Sequence, residues 1–155
     1  MIEVYEQVDG PVLAVERVPL QDVSNYGIVD IDRSDLFGAG IHRVRDLVEK
    51  PPRDEAPSNL AIIGRYILTP DIFPALAETA RDRSGEIQLT NGLRRLLKTR
   101  PIYAYEIKGT RHDTGNKLGF LKAVVYFALQ RPDLAASFRE YLQSLDLESF
   151  PTVKR

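Results

Sequence analysis

The chain has 155 residues, enough for one domain with a sizeable core and too few for two of ordinary size. At 43% hydrophobic and 28% charged, with a net charge of -1, it has no excess of base to draw it to nucleic acid or an anionic membrane. It has no cysteine and only two histidines, far apart, which excludes disulfides, thiolate metal sites and cysteine nucleophiles and argues against a histidine-rich metal centre.

The first seven residues, Met1-Ile2-Glu3-Val4-Tyr5-Glu6-Gln7, read as the last turns of an amphipathic helix with no capping residue before them. Acids stand where a signal peptide would carry bases, and no uncharged apolar run reaches membrane-spanning length, so a cytoplasmic protein is expected. After the Asp9-Gly10-Pro11 turn, residues 12–18 form a continuous apolar run that suits a strand covered on both faces. A short helical turn at residues 22–25 leads to a β-branched strand at 26–30, where Gly27 permits close approach of the backbone. A polar hairpin region follows at 31–40. Residues 41–50 then read as a strand closed by Pro51-Pro52, with His42 expected to face solvent.

Residues 51–59 form a polar loop, 60–68 a central strand, and Thr69-Pro70 an N-cap with proline at the first position of a helix over 71–79. From Glu86 onward, Leu89, Leu93, Leu96 and Leu97 recur at helical spacing up to Thr99-Arg100-Pro101. A strand at 102–108 precedes Arg111-His112-Asp113-Thr114-Gly115, a helix over 117–130, and a second helix carrying Leu134, Phe138, Leu142 and Leu145 on one face. Strands and helices alternate without internal repeats, so the class is α/β with a mixed sheet flanked by helices. The expected organisation is a single domain over 1–155, with a sheet region at 1–116 and C-terminal helices at 117–147.

Three stretches carry candidate chemistry. Glu49 and Lys50 stand side by side at a strand end: the ammonium suits a phosphate oxygen and the carboxylate can accept hydrogen bonds from sugar hydroxyls, although taken alone a strand ending in Glu-Lys-Pro reads more readily as a solvated edge. Asp113, between a strand and a helix start, can aim a hard oxygen at Mg²⁺, although on spacing alone Asp113 or Thr114 reads better as the cap of that helix. Glu86 and Gln88 are expected at a helix's first turn, placed either for hydroxyls or for the backbone donors there. The stripe Phe120, Leu121, Val124, Val125, Phe127 and Ala128 covers more than one helical face, a pattern of either core or a subunit contact.

In order, Tyr26-Gly27, Val48-Glu49-Lys50-Pro51, Gly64-Arg65-Tyr66-Ile67-Leu68, Gly85-Glu86-Ile87-Gln88-Leu89-Thr90 and Asp113-Thr114-Gly115-Asn116-Lys117-Leu118-Gly119-Phe120 closely resemble bacterial UTP–glucose-1-phosphate uridylyltransferase, also called UDP-glucose pyrophosphorylase. The resemblance runs from Met1 to about residue 145. It implies the C-terminal part of a Rossmann-like nucleotidyltransferase and a reaction of UTP with glucose 1-phosphate to give UDP-glucose and pyrophosphate with Mg²⁺. By that likeness Lys50 contacts the sugar phosphate, Glu49 and the Gly27 backbone hold glucose hydroxyls, and Asp113 is a metal ligand.

The family's Gly-rich loop, its following basic residues and a further aspartate are not found in this sequence, so the expectation is a truncated nucleotidyltransferase domain lacking the nucleotide-binding half. Asn91 and Asn116 stand where aspartate is expected in many relatives. Three alternatives stay open: activity of the isolated chain, a related enzyme using dTTP, and a noncatalytic interaction module whose exposed sheet edge pairs with another subunit or with a separate N-terminal piece. Homo-oligomerisation agrees with the wide apolar stripe.

Overall fold

The computed structural model describes residues 1–33, 37–38, 40–82 and 84–149, with only the backbone of Arg33. Two compact units are present, Met1–Lys108 and Gly109–Arg155. In the first, helix α1 (Ile2–Val8) precedes strand β1 (Val12–Arg17), a 3-10 turn at Leu20–Asn25, and strands β2 (Gly27–Arg33), β3 (Ile41–Glu49) and β4 (Leu60–Ile67). Helices α2 (Ile72–Ala77) and α3 (Leu89–Leu96) and strand β5 (Tyr103–Glu106) complete it. The second unit contains helices α4 (Lys117–Gln130) and α5 (Ala135–Ser144). The hairpin region expected at 31–40 falls partly outside the described residues.

The sheet is mixed, and it closes. Its order is β1-β4-β2-β3-β5, with β5 returning to β1 in parallel while every other pairing is antiparallel. Each described strand has a neighbour on both sides, although β2 and β4 are bridged only at Ile28↔Ala61, so the sheet has no wholly unpaired edge strand among the described residues. Val12, Leu13, Ala14 and Val15 are all fully buried, as a continuous apolar run in a two-sided strand requires. Leu13 and Val15 join Val29, Val44, Leu47, Leu60 and Ile62 in the main core, which Ile72 of α2 and Leu93 and Leu96 of α3 cover. On the opposite side Val12 packs with Val4 of α1 and Ile41.

One irregularity matters to the core. The β2–β3 register passes from Asp30↔Asp46 to Ile31↔Val44, so Arg45 is an extra residue in β3. That bulge turns the strand enough for Val44 and Leu47, three residues apart, to enter the same core.

His42 differs from expectation. It is 3% exposed, and its Nε2 lies 2.8 Å from Glu106 Oε1, which also accepts from Arg17 Nη2 at 2.7 Å. Closure of the sheet is the reason: β5 flanks β3 with His42 opposite Ala104, covering the face that sequence alone assigned to solvent and supplying the carboxylate partner. Helix α2 also begins later than expected. Thr69 does not cap it through its side chain; the Thr69 hydroxyl bonds the Asp71 carboxylate, and Arg100 Nη1 reaches both, at 3.0 and 2.9 Å.

Candidate functional site

The end of β3 is built by its pairing with β2. Gly27 stands opposite Glu49, Ile28 opposite Val48 and Val29 opposite Leu47, and the Lys50 N–H donates to the Tyr26 carbonyl at 2.9 Å. The chain then turns sharply. Lys50 has φ of 44°, in the left-handed region, and the next residue, Pro51, is fully buried. The turn carries the Lys50 side chain outward, 59% exposed, with Nζ 4.0 Å from Glu49 Oε1. Glu49 is more enclosed, its side chain 23% exposed.

A third group reaches this pair from α3. Thr90, in the first turn of that helix, is buried, and its hydroxyl donates to Glu49 Oε2 at 2.6 Å. Arg94, one turn on, makes two hydrogen bonds of 2.6 Å to the Asp46 carboxylate, and Asp46 Oδ1 also accepts the Leu47 N–H at 2.8 Å. Helix α3 is thereby pinned to β3 beside the carboxylate it serves. A side chain at Gly27 would collide with this arrangement: a Cβ there would lie 2.8 Å from Thr90 Oγ1, 3.1 Å from Glu49 Oε2 and 3.3 Å from Ile62 Cδ1. Tyr66 on β4 senses the same carboxylate. Burial first, and then the charge of Glu49, push its phenol above the ordinary tyrosine range.

Chemically the cluster presents one fixed carboxylate and an adjacent ammonium, with the Thr90 and Glu49 side chains packed into the space that a Cβ at Gly27 would take. Such a surface accepts hydroxyls and neutralises an anion. The structure brings Gly27, Glu49 and Lys50 together and adds Thr90. Glu86 and Gln88 stand apart from the expectation: both precede α3, and Gln88 Nε2 donates to Asp82 Oδ2 at 2.8 Å and Glu86 Oε2 at 3.2 Å. Thr90 was in view as the last residue of that stretch. Its pairing with a residue 41 positions earlier leaves no local trace in sequence.

In the second unit, Asn116 caps α4, its Oδ1 accepting the Gly119 N–H at 2.8 Å. Neither Asp113 nor Thr114 is the cap; Asp113 instead folds the turn before it, Oδ1 accepting the Gly115 N–H at 2.9 Å and Oδ2 lying 3.3 Å from Asn116 Nδ2. Asparagine and aspartate cap equally well, which accounts for Asn116 at a position where aspartate was expected. Gly119 is indispensable to this fold-back, since a Cβ there would meet the Asp113 carbonyl oxygen at 1.8 Å. Beside the turn, the His112 ring lies against Tyr126 and Phe127, with centroids 4.5 and 5.3 Å apart.

Asp113 is exposed and offers one hard carboxylate. Among the described residues no group of three or more histidine, cysteine or acidic side chains is placed to hold a metal ion, so these residues do not make a complete metal site. Also among the described residues, no helix is long and apolar enough to cross a membrane.

Residues 4–128 match the family model described as Nucleotidyl transferase. Among curated proteins, UTP–glucose-1-phosphate uridylyltransferase 2 of Staphylococcus saprophyticus is 42% identical over 147 residues, which are 95% of this chain and 50% of that protein. Among solved structures, a UTP-bound UGPase from Acinetobacter baumannii superposes with a TM-score of 0.80 at 38% identity, covering 94% of this chain and 49% of that one. A UDP-glucose pyrophosphorylase complexed with UDP-glucose superposes with a TM-score of 0.76 at 41% identity, covering 83% and 48%. The chain spans about half the length of the curated relatives it matches.

Proposed function

The chain belongs to the nucleotidyl transferase family, and from that premise we propose that it carries the sugar-phosphate half of a UTP–glucose-1-phosphate uridylyltransferase site. In this reaction an oxygen of glucose 1-phosphate attacks the α-phosphorus of UTP, pyrophosphate leaves, and UDP-glucose forms. The protein's part is positioning and charge neutralisation, because phosphoryl-type transfer asks little covalent chemistry of its catalyst.

The observation that carries this reading is the fixed Glu49 carboxylate beside the exposed Lys50 ammonium, with Gly27 paired opposite Glu49. Lys50 contacts the sugar phosphate, while Glu49 and the Gly27 backbone hold glucose hydroxyls. Relatives that are named for this reaction, and that match across nearly the whole chain, support the assignment. The chain spans about half the length of those relatives, and on this reading the nucleotide half of the site is not among its own residues. Asp113 enters as one candidate ligand for Mg²⁺, the other ligands lying outside the described residues.

A second reading is favoured by one specific observation. Helix α4 exposes Leu118, Phe120, Leu121, Val124, Val125 and Phe127 and buries only Ala123. So much apolar surface suits an interface, with a second copy or with a nucleotide-binding half, in a cytoplasmic assembly without nucleic acid or membrane. An inactive chain that still associates through this helix would be an interaction module.

Pyrophosphate release from UTP or dTTP and glucose 1-phosphate with Mg²⁺, together with calorimetric binding of glucose 1-phosphate, tests the assignment. Lys50→Ala is expected to cost about 1.5–3 kcal/mol, the worth of a hydrogen bond to a charged group, which is about 10- to 150-fold in affinity. Absence of glucose 1-phosphate binding, or a loss below tenfold in the variant, would count against it. Light scattering separates a monomer from an assembly built on α4.

A further inference from the structure

Glu49 sits between two cationic or donor groups that compete for it. Lys50 Nζ is only at the outer limit of an ion pair, 4.0 Å from Oε1, whereas the Thr90 hydroxyl is 2.6 Å from Oε2. Hydrogen bonds from a hydroxyl to a carboxylate at this distance belong to the strong, charge-assisted class. The Thr90 donor is itself held: it is 6% exposed, on a helix clamped to β3 through Arg94 and Asp46. A glutamate side chain has three rotatable bonds and would otherwise swing toward the ammonium or into water. Thr90 removes that freedom, leaving Oε2 anchored and Oε1 turned toward Lys50.

Gly27 acquires a second reason to be glycine. The volume a Cβ would occupy is taken by the Thr90 hydroxyl at 2.8 Å and by Glu49 Oε2 at 3.1 Å. Space at Gly27 is therefore a condition of the Thr90–Glu49 bond, in addition to any approach of ligand to the backbone.

We propose that Thr90 is a positioning residue that sets sugar specificity by acting through Glu49, fixing the orientation in which Glu49 Oε1 accepts one hydroxyl of the sugar phosphate, and that Gly27 keeps open the space this requires. The proposal rests on the sugar-phosphate reading above. It separates two jobs within one small cluster: Lys50 gives affinity for the phosphate, and Thr90 with Glu49 gives discrimination among sugars.

The test is binding of glucose 1-phosphate and its monodeoxy analogues to the full chain by calorimetry. The wild-type chain is expected to bind one analogue roughly tenfold or more weakly, the loss that follows when an enclosed charged acceptor loses its donor. In Thr90→Val that ratio falls toward one, because glucose 1-phosphate weakens while the discriminated analogue does not; Thr90→Ser, which keeps the hydroxyl, retains the ratio. Gly27→Ala displaces the hydroxyl from the other side and reproduces the collapse without altering Thr90, so the result does not depend on the folding of one variant. A merely structural role would weaken all the ligands together and leave the ratio intact, and that outcome overturns the proposal. So does a wild-type chain that binds glucose 1-phosphate without discriminating among the analogues, which leaves the sugar-phosphate reading standing. A wild-type chain that does not bind glucose 1-phosphate overturns both.

Discussion

Replacing Lys50 by glycine is expected to stabilise the fold while removing the cation of the site. Lys50 has φ of 44°, and for an L-residue the left-handed region costs about 1–2 kcal/mol. The residue before a proline is disfavoured there still further, and Pro51 follows directly. The conformation is held by the Lys50 N–H bond to the Tyr26 carbonyl and by the full burial of Pro51, neither of which needs the lysine side chain. Glycine would take up this φ without strain but gives the unfolded chain more freedom, a loss of about 0.5–1 kcal/mol. The net gain is at most about 1.5 kcal/mol, and about 0.75 kcal/mol at the middle of both ranges. Alanine at the same position loses the same ammonium and keeps the strain, so the comparison of Lys50→Gly with Lys50→Ala isolates the backbone term. Urea denaturation of the two variants measures it, with glucose 1-phosphate binding expected to be weakened equally in both. A glycine variant no more stable than the alanine variant would refute the claim that Lys50 is held in a strained conformation for the sake of its position.

The remaining predictions concern the two loops that flank the helices. Gly119→Ala is expected to destabilise the chain by about 1–3 kcal/mol, the range for forcing atoms into a filled space, because the new Cβ would overlap the Asp113 carbonyl and undo the Asn116 cap of α4; an unchanged urea midpoint and unchanged helicity by circular dichroism would refute it. Asp82 has its carboxyl lowered to about 2, first by the Ser84 hydroxyl, then by Gln88, with the backbone N–H groups of Glu86 and Ser84 adding to them. A carboxyl depressed below its unfolded value of about 3.9 contributes stability that is fully present above that value and is lost as pH falls through about 2. The contacts of Asp82 with Ser84, Glu86 and Gln88 should therefore loosen between about pH 4 and pH 2, and Ser84→Ala should move the Asp82 titration upward when followed by NMR.

How much of this could be read from sequence depends on whether each contact is local. The two-sided burial of β1 was legible because a continuous apolar run is its direct imprint, and α4 was placed at its observed bounds because a polar Gly-containing turn precedes it and Arg131-Pro132 ends it, although its cap, Asn116, was not the one expected. Glu49 and Lys50 were legible as a pair because they are adjacent. His42 was not, since its burial comes from β5, 64 positions away through Glu106, and from closure of the sheet, a property of all five strands at once. The partner of Thr90 was illegible for the same reason. A threonine in the first turn of a helix has a routine local use, and only the fold shows that its hydroxyl is spent on a distant carboxylate.

Register explains why this distant carboxylate is dependable. Side chains alternate across a strand with a period of two, so a slip of one residue between β2 and β3 would place Val48 opposite Gly27 and turn Glu49 to the other face, away from Thr90. Two features oppose that slip. Leu47 would leave the core on the same movement, and Asp46 would leave the two hydrogen bonds by which Arg94 holds α3. The irregularities of the ladder lie beyond Asp30, toward the other end of β2, so the pairs from Gly27↔Glu49 to Asp30↔Asp46 form an uninterrupted stretch that ends on the Lys50–Tyr26 bond. The bulge bends the strand where the core needs it and leaves straight the part that aims Glu49. Precision at the site thus follows from burial at Leu47 and pairing at Asp46, two and three residues from the carboxylate they orient.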